Sequence, residues 1–274
     1  MTTNTGNEAG NEATRTATAK ATEETLLAYV AGGGRLGSPD NVTPRYRGEL
    51  MRLMAVFVDS ELAGASGFAD CINLAPGMKE RVVTARIVLE KFTNAEKVMR
   101  LMEAFGSNLQ QYVGAHPWAA RLDRSIDLGS RRISSDMRLN VFHYPIQGFV
   151  DGIVLNVLMG RATIIQLDDL AAGSYQPFAD VLAEIIPVEK RHAGYGVDGL
   201  SAALAAGYDP VAAQASINYW YPRVAATFGR AASEHSETYR KFGLRQRGNE
   251  ELLALWRADV RGVLGAFALR EPAA

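Results

Sequence analysis

The amino-acid sequence predicts an all-α protein, a four-helix bundle with additional helices at its C-terminal end. Three observations carry that prediction. Four long segments repeat apolar residues at spacings of three and four, the period of one helix face. No run of alternating β-branched residues lasts long enough to argue for a strand. Between the second and third segments lies a long connection, residues 116–140, rich in Arg, Ser and Asp. Such a connection suits a bundle that crosses between its two helical pairs.

The elements follow in order. Residues 1–24 are mostly Thr, Ala, Asn and Glu, too polar to bury a core, so a disordered or loosely ordered tail is expected, continuing through a Gly/Pro/Ser-rich loop at 31–44. The domain proper is taken as residues 41–274, with 1–40 as tail and loop. The first bundle helix is expected over 45–68, with the stripe Met51, Met54, Val58, Glu61, Ala65, Phe68. The second, over 78–105, follows Ala75-Pro76-Gly77 and stops at Gly106; its stripe reads Val83, Ile87, Glu90, Asn94, Val98, Leu101, Phe105. The third begins after Tyr144-Pro145 and runs to about Leu170, with Gln147, Asp151, Val154, Leu158, Ala162 and Ile165 on one face. The fourth spans about 175–206, with the stripe Phe178, Leu182, Ile185, Glu189, His192, Gly196, and Pro187 is expected to kink it. Residues 216–223 and 234–268 read as further helices packed outside the bundle.

Composition removes several classes of function. The chain has 274 residues, 47% of them hydrophobic, enough for a large core. With 29 basic against 30 acidic residues it lacks the basic excess of a nucleic-acid binder. One cysteine, Cys71, excludes a disulfide framework and any multi-cysteine metal site, and reads as a small buried hydrophobe. The N-terminus has no apolar run of the secretory kind. The most apolar stretch, 148–167, is interrupted by Asp151, Asn156 and Arg161, which suits a buried bundle helix better than a membrane span. Gly32-Gly33-Gly34 lacks the spacing of a dinucleotide fingerprint. A cytoplasmic protein is expected, with neither nucleic acid nor membrane as a partner.

The chemistry is suggested by where the charges fall. Glu61, Glu90, Asp151 and Glu189 each sit in an apolar stripe, and ionised carboxylates in a core cost several kcal/mol each unless a positive charge accompanies them. Arg86, Arg161 or Arg191 would serve, leaving only ion pairs. A metal would serve equally. Glu189 and His192 stand at i, i+3 on one helix turn, and with single carboxylates from the other helices they form the ligand plan of di-iron carboxylate bundles. His116 and His235 have no ligand spacing and read as surface residues. Tyr144 and the aromatic run 219–221 read as packing.

From roughly Val42 to Ala268 the chain resembles the phenylacetic acid catabolism family of ferritin-like proteins, most closely its phenylacetyl-CoA epoxidase catalytic subunits. The segments that carry the resemblance are Ser60-Glu61-Leu62-Ala63-Gly64, Ala75-Pro76, Phe142-His143-Tyr144-Pro145 with Asp151, Glu189-Lys190-Arg191-His192 and Tyr219-Trp220-Tyr221-Pro222. The resemblance implies a bridged iron centre, two irons per chain, that activates oxygen and inserts one atom into an aromatic CoA thioester. It implies a similar helical subunit and an electron-donating reductase as partners. The metal ligands would be Glu61, Glu90, Asp151, Glu189 and His192.

One departure stands out. Where the family's second helix has another Glu-x-x-His, this chain reads Glu90-Lys91-Phe92-Thr93, with threonine in place of histidine. Thr93 would leave room for water, or His143 would act in the pocket or as a replacement ligand, or a single iron would bind through Asp151, Glu189 and His192. Three functions stay open: an oxygen-activating di-iron monooxygenase of epoxidase or hydroxylase type, a non-catalytic partner subunit with a degenerate site, and simple metal handling.

Overall fold

A computed structural model describes residues 22–129, 131, 133 and 136–272. Among these residues there are nine α-helices and no strand, only a single β-bridge between Leu36 and Tyr175. The helices are α1 (Glu23–Ala31), α2 (Pro44–Cys71), α3 (Met78–Ala104), α4 (Leu109–Ala115), α5 (Phe149–Ala171), α6 (Gln176–Ala205), α7 (Pro210–Ala225), α8 (Glu234–Lys241) and α9 (Asn249–Ala266).

Local chemistry sets the ends of the long helices. Thr43 caps α2 by accepting from the Tyr46 N–H, and Pro44 follows at the first helical position, where a missing N–H costs nothing. Gly106 ends α3 in the left-handed region at φ 89°, where its N–H and that of Ser107 donate to the carbonyls of Glu103 and Met102. α6 runs continuously through Pro187. The bundle is built from two pairs, α2 with α3 and α5 with α6, joined through α3 against α6.

The expectations are corrected in two places. The expected loosely ordered stretch to residue 40 is too long. Residues 1–21 lie outside the described ones, but from Glu23 the chain is helical, with Leu26 and Leu36 buried. The Leu36 N–H donates to the Ser174 carbonyl at 2.7 Å, and the Leu36 carbonyl accepts from Gln176 at 2.9 Å. Nor do the C-terminal helices merely coat the bundle. α7 and α9 pack on α5 and contribute fully buried Trp220 and Trp256 to its core. This explains why α5, long and apolar enough to cross a membrane by composition, is so apolar: it is enclosed by α6, α7 and α9.

Close approach of α5 to α6 needs two small residues. A β-carbon on Gly160 would lie 3.1 Å from that of Ala193, and one on Gly196 would lie 3.1 Å from the Val157 backbone nitrogen. Backbone cannot swing aside as a side-chain tip can. Gly196→Ala is therefore expected to lower stability by about 1–3 kcal/mol, read as a fall in the denaturant midpoint; an unchanged midpoint would mean that the helices part freely there.

The long connection is pinned by buried polar groups that the helical pattern did not reveal. Asp59, fully buried on α2, accepts from the Tyr112 hydroxyl at 2.8 Å and the Trp118 indole at 3.2 Å. Arg138, also buried, pairs with Asp136 and donates to the carbonyls of Pro117, Trp118 and Ala120. One guanidinium thus satisfies three carbonyls of irregular backbone beside the core.

Candidate functional site at the bundle centre

The centre of the bundle holds Glu61 from α2, Lys91 and Asn94 from α3, and Glu189 and His192 from α6, all buried. The core-facing residues of α3 are Ile87, Lys91, Asn94 and Val98, spaced four, three, four. Lys91 reaches inward past Gly64, where a β-carbon would stand at ordinary contact distance, 3.6 Å, from Lys91 Cδ. Its ammonium donates to Glu61 Oε1 at 2.8 Å and to Glu189 Oε2 and Oε1 at 3.2 and 3.3 Å. The ammonium thus bridges two carboxylates. Asn94 closes the cluster, its Nδ2 donating to Glu189 Oε1 at 3.0 Å and Glu61 Oε2 at 3.3 Å.

The electrostatics follow from this arrangement. Burial alone would discharge Lys91, but the charges of Glu189 and Glu61 outweigh it and hold the ammonium above its ordinary value. Burial would likewise raise Glu189, yet Lys91 and the His192 imidazole bring it down to about 2. Glu61 goes the other way. Burial and then the neighbouring Glu189 charge push it up to about 7, against the pull of Lys91. One ammonium serves two carboxylates, so the second holds a proton more readily.

That asymmetry has a measurable consequence. A carboxyl raised in the folded state binds more protons there than in the unfolded chain, so its contribution to stability falls as pH rises from about 4.5 to about 7. Glu61→Gln removes this dependence. The stability of the native chain relative to Glu61→Gln is expected to decline by roughly 2–3 kcal/mol between pH 5 and pH 8 in denaturant titrations. Parallel profiles would mean that Glu61 titrates normally.

The structure parts the expected ligands. Glu90 does not face the core with the others. It lies at the rim, about a quarter exposed, where Arg191 holds Oε1 at 2.8 Å and His192 Nε2 meets Oε2 at 2.7 Å. His192 Nδ1 lies 3.3 Å from Glu189 Oε1 without hydrogen-bond alignment. Asp151 belongs to a different cluster. Gly152 beside it packs on Cys71, ten residues and about 15 Å along α2 from Glu61. There Arg124 pairs with Asp151 at 2.7 Å, the Trp220 indole donates at 2.9 Å and the Gln147 N–H at 2.8 Å. Facing His192, α5 offers no carboxylate, only Asn156, whose Nδ2 donates to the His192 carbonyl at 2.9 Å.

Thr93 and His143 do not complete the set either. Thr93 is exposed and its hydroxyl donates back to the Leu89 carbonyl at 3.0 Å. His143 is buried in a 3₁₀ turn (Asn140–His143), where its carbonyl accepts from the Leu122 N–H at 2.7 Å. Among the described residues, no group of three or more His, Cys, Asp or Glu is arranged to hold a metal ion. Of the arginines weighed as partners, Arg191 meets Glu90, Arg161 pairs with Asp259, and Arg86 bonds the Tyr195 hydroxyl. Cys71 is buried as expected, its thiol pushed up to about 12 by burial and the nearby Asp70 and Asp151 charges.

The residues at the centre therefore do not fit iron. Lys91 and Asn94 stand at i, i+3, the spacing of a Glu-x-x-His pair, one register step beyond Glu90. They bring a fixed positive charge and amide donors where that pair would bring a carboxylate and an imidazole. An ammonium has no lone pair for a metal and occupies the space between Glu61 and Glu189 itself.

Two comparisons with known proteins bear on this site. The model of a family described as phenylacetic acid catabolic protein matches residues 35–274. A search of curated proteins gives no match.

Proposed function

Since the chain belongs to the family of phenylacetic acid catabolic proteins, we propose that it acts there as the non-catalytic structural partner of an oxygenase subunit. One observation carries this reading: the Lys91 ammonium sits between Glu61 and Glu189 and donates to both carboxylates. A cation carried by the chain itself stands between the core acids, so the bundle needs no metal supply to fold. Iron chemistry, the aromatic or CoA-thioester substrate and the electron-donating reductase would then belong to a metal-bearing subunit of similar fold.

The rival reading, an oxygenase in its own right with one or two irons, asks for ligands that are engaged elsewhere. Asp151 would have to leave Arg124 and Trp220, and Glu90 would have to leave Arg191. A direct test is oxygen uptake. The purified chain, supplied anaerobically with ferrous iron and a chemical reductant, is expected to consume oxygen no faster than the same mixture without protein. Sustained uptake that depends on the protein and disappears in Glu189→Ala would overturn the proposal.

A further inference from the structure

The outward side of α3 changes character along its length. Its N-terminal half exposes Met78 (76%), Val82 (52%), Leu89 (66%) and Phe92 (45%), with Ala85 between them, spaced four, three, four and three. The C-terminal half of the same side carries Glu96, Arg100 and Glu103, with Glu96 and Arg100 paired at 2.7 Å, an ordinary solvated surface. The opposite side of α3 is already occupied by the bundle core. The apolar seam extends about 21 Å, and Leu74, 46% exposed in the preceding turn, prolongs it.

Alternating spacings of four and three are the a/d pattern by which one helix packs along another. Isolated exposed apolar residues mean little, but a contiguous row of this kind marks a docking surface. The flanks say what kind of helix fits. Lys79, Arg81 and Arg86 border the seam. Arg81 and Arg86 bond only neutral groups, the Asn73 and Tyr195 side chains, and none of the three has a carboxylate partner within the described chain. A second copy is a poor occupant. In an antiparallel pair centred on Ala85, Arg86 would approach its own counterpart, and in a parallel pair all three cations would. Like charges so placed are repulsive.

We propose that the N-terminal half of α3 docks a helix of a different subunit, one with an apolar a/d seam flanked by carboxylates. This rests on the structural-partner reading and gives that partner its surface. Lys91 lies on the same helix, so the residue that rigidifies the core of α3 also steadies its outer face. Such preorganisation reduces what is lost in ordering an interface.

The test uses the full chain with a member of the family that carries Glu-x-x-His on both ligand helices, and measures binding by analytical ultracentrifugation. A heterologous complex is expected, weakened about thirtyfold or more by Leu89→Glu with Phe92→Glu, and unchanged by Glu96→Gln with Arg100→Gln. The substituted side chains are exposed, so unaltered circular dichroism and melting temperature confirm that folding is intact. A complex of undiminished affinity with the seam substituted would overturn the proposed surface while leaving the structural-partner reading in place. A homodimer that the seam substitutions dissolve would also overturn it, in favour of a second copy. No complex at all would count against the structural-partner reading, and the docking proposal would fall with it.

Discussion

Lys91→Met is expected to destabilise the fold by about 3–5 kcal/mol, because it strands two buried carboxylates without their cation. The side chains are similar in length, so lost packing adds little; the cost is electrostatic. At this size a loss of that order lowers the melting temperature by about 10 °C. Glu61 and Glu189 would then answer by taking up protons, so the damage is expected to be smaller at pH 5 than at pH 8. Combining Lys91→Met with Glu61→Gln and Glu189→Gln removes all three charges together, and most of the stability is expected to return, since a neutral hydrogen-bonded cluster needs no counter-ion. A single Lys91→Met variant that melts with the native chain would show that the ammonium does not hold these acids.

The second large effect is a gain. Lys91→Glu with Asn94→His writes a Glu-x-x-His pair into the core-facing register of α3, opposite Glu61, Glu189 and His192. Without metal this variant places three carboxylates together and is expected to be less stable than Lys91→Met. With a divalent ion such as Co²⁺ or Zn²⁺ it is expected to recover by about 3–4 kcal/mol at concentrations 100 to 1,000 times the dissociation constant. The native chain is expected to show no such metal-dependent melting shift, because its cation is already in place. The Co²⁺ absorption spectrum reports the same event without reference to stability. If the variant binds nothing, the α3 register assigned to the centre is wrong.

Much of the architecture was legible because long helices announce themselves by periodicity. The four bundle helices begin and end within a few residues of expectation, and Gly106 stops α3 as read. The site was legible only in part, for a specific reason. Around Ile87 and Asn94 both Glu90 and Lys91 satisfy helical spacing, as 87-90-94-98 or 87-91-94-98, although the two side chains leave the helix about 100° apart. A metal plan favours the acid at this position. The cation that meets Glu61 and Glu189 is Lys91, beside Glu90 in sequence, and none of Arg86, Arg161 and Arg191. Asp151 failed for a different reason. Its partners Arg124 and Trp220 come from the connection and from α7, and pairings between elements so distant in sequence leave no periodic trace. The same holds for Asp59 and Arg138, which organise irregular backbone.

The metal content of the native chain tests most directly whether Lys91 stands in for a metal. After anaerobic incubation with excess ferrous iron and removal of free metal by gel filtration, iron is expected at no more than the level carried by Glu189→Ala treated in the same way. Retention of one or two irons per chain that Glu189→Ala abolishes would contradict it, for then the ammonium would have to leave the space between Glu61 and Glu189.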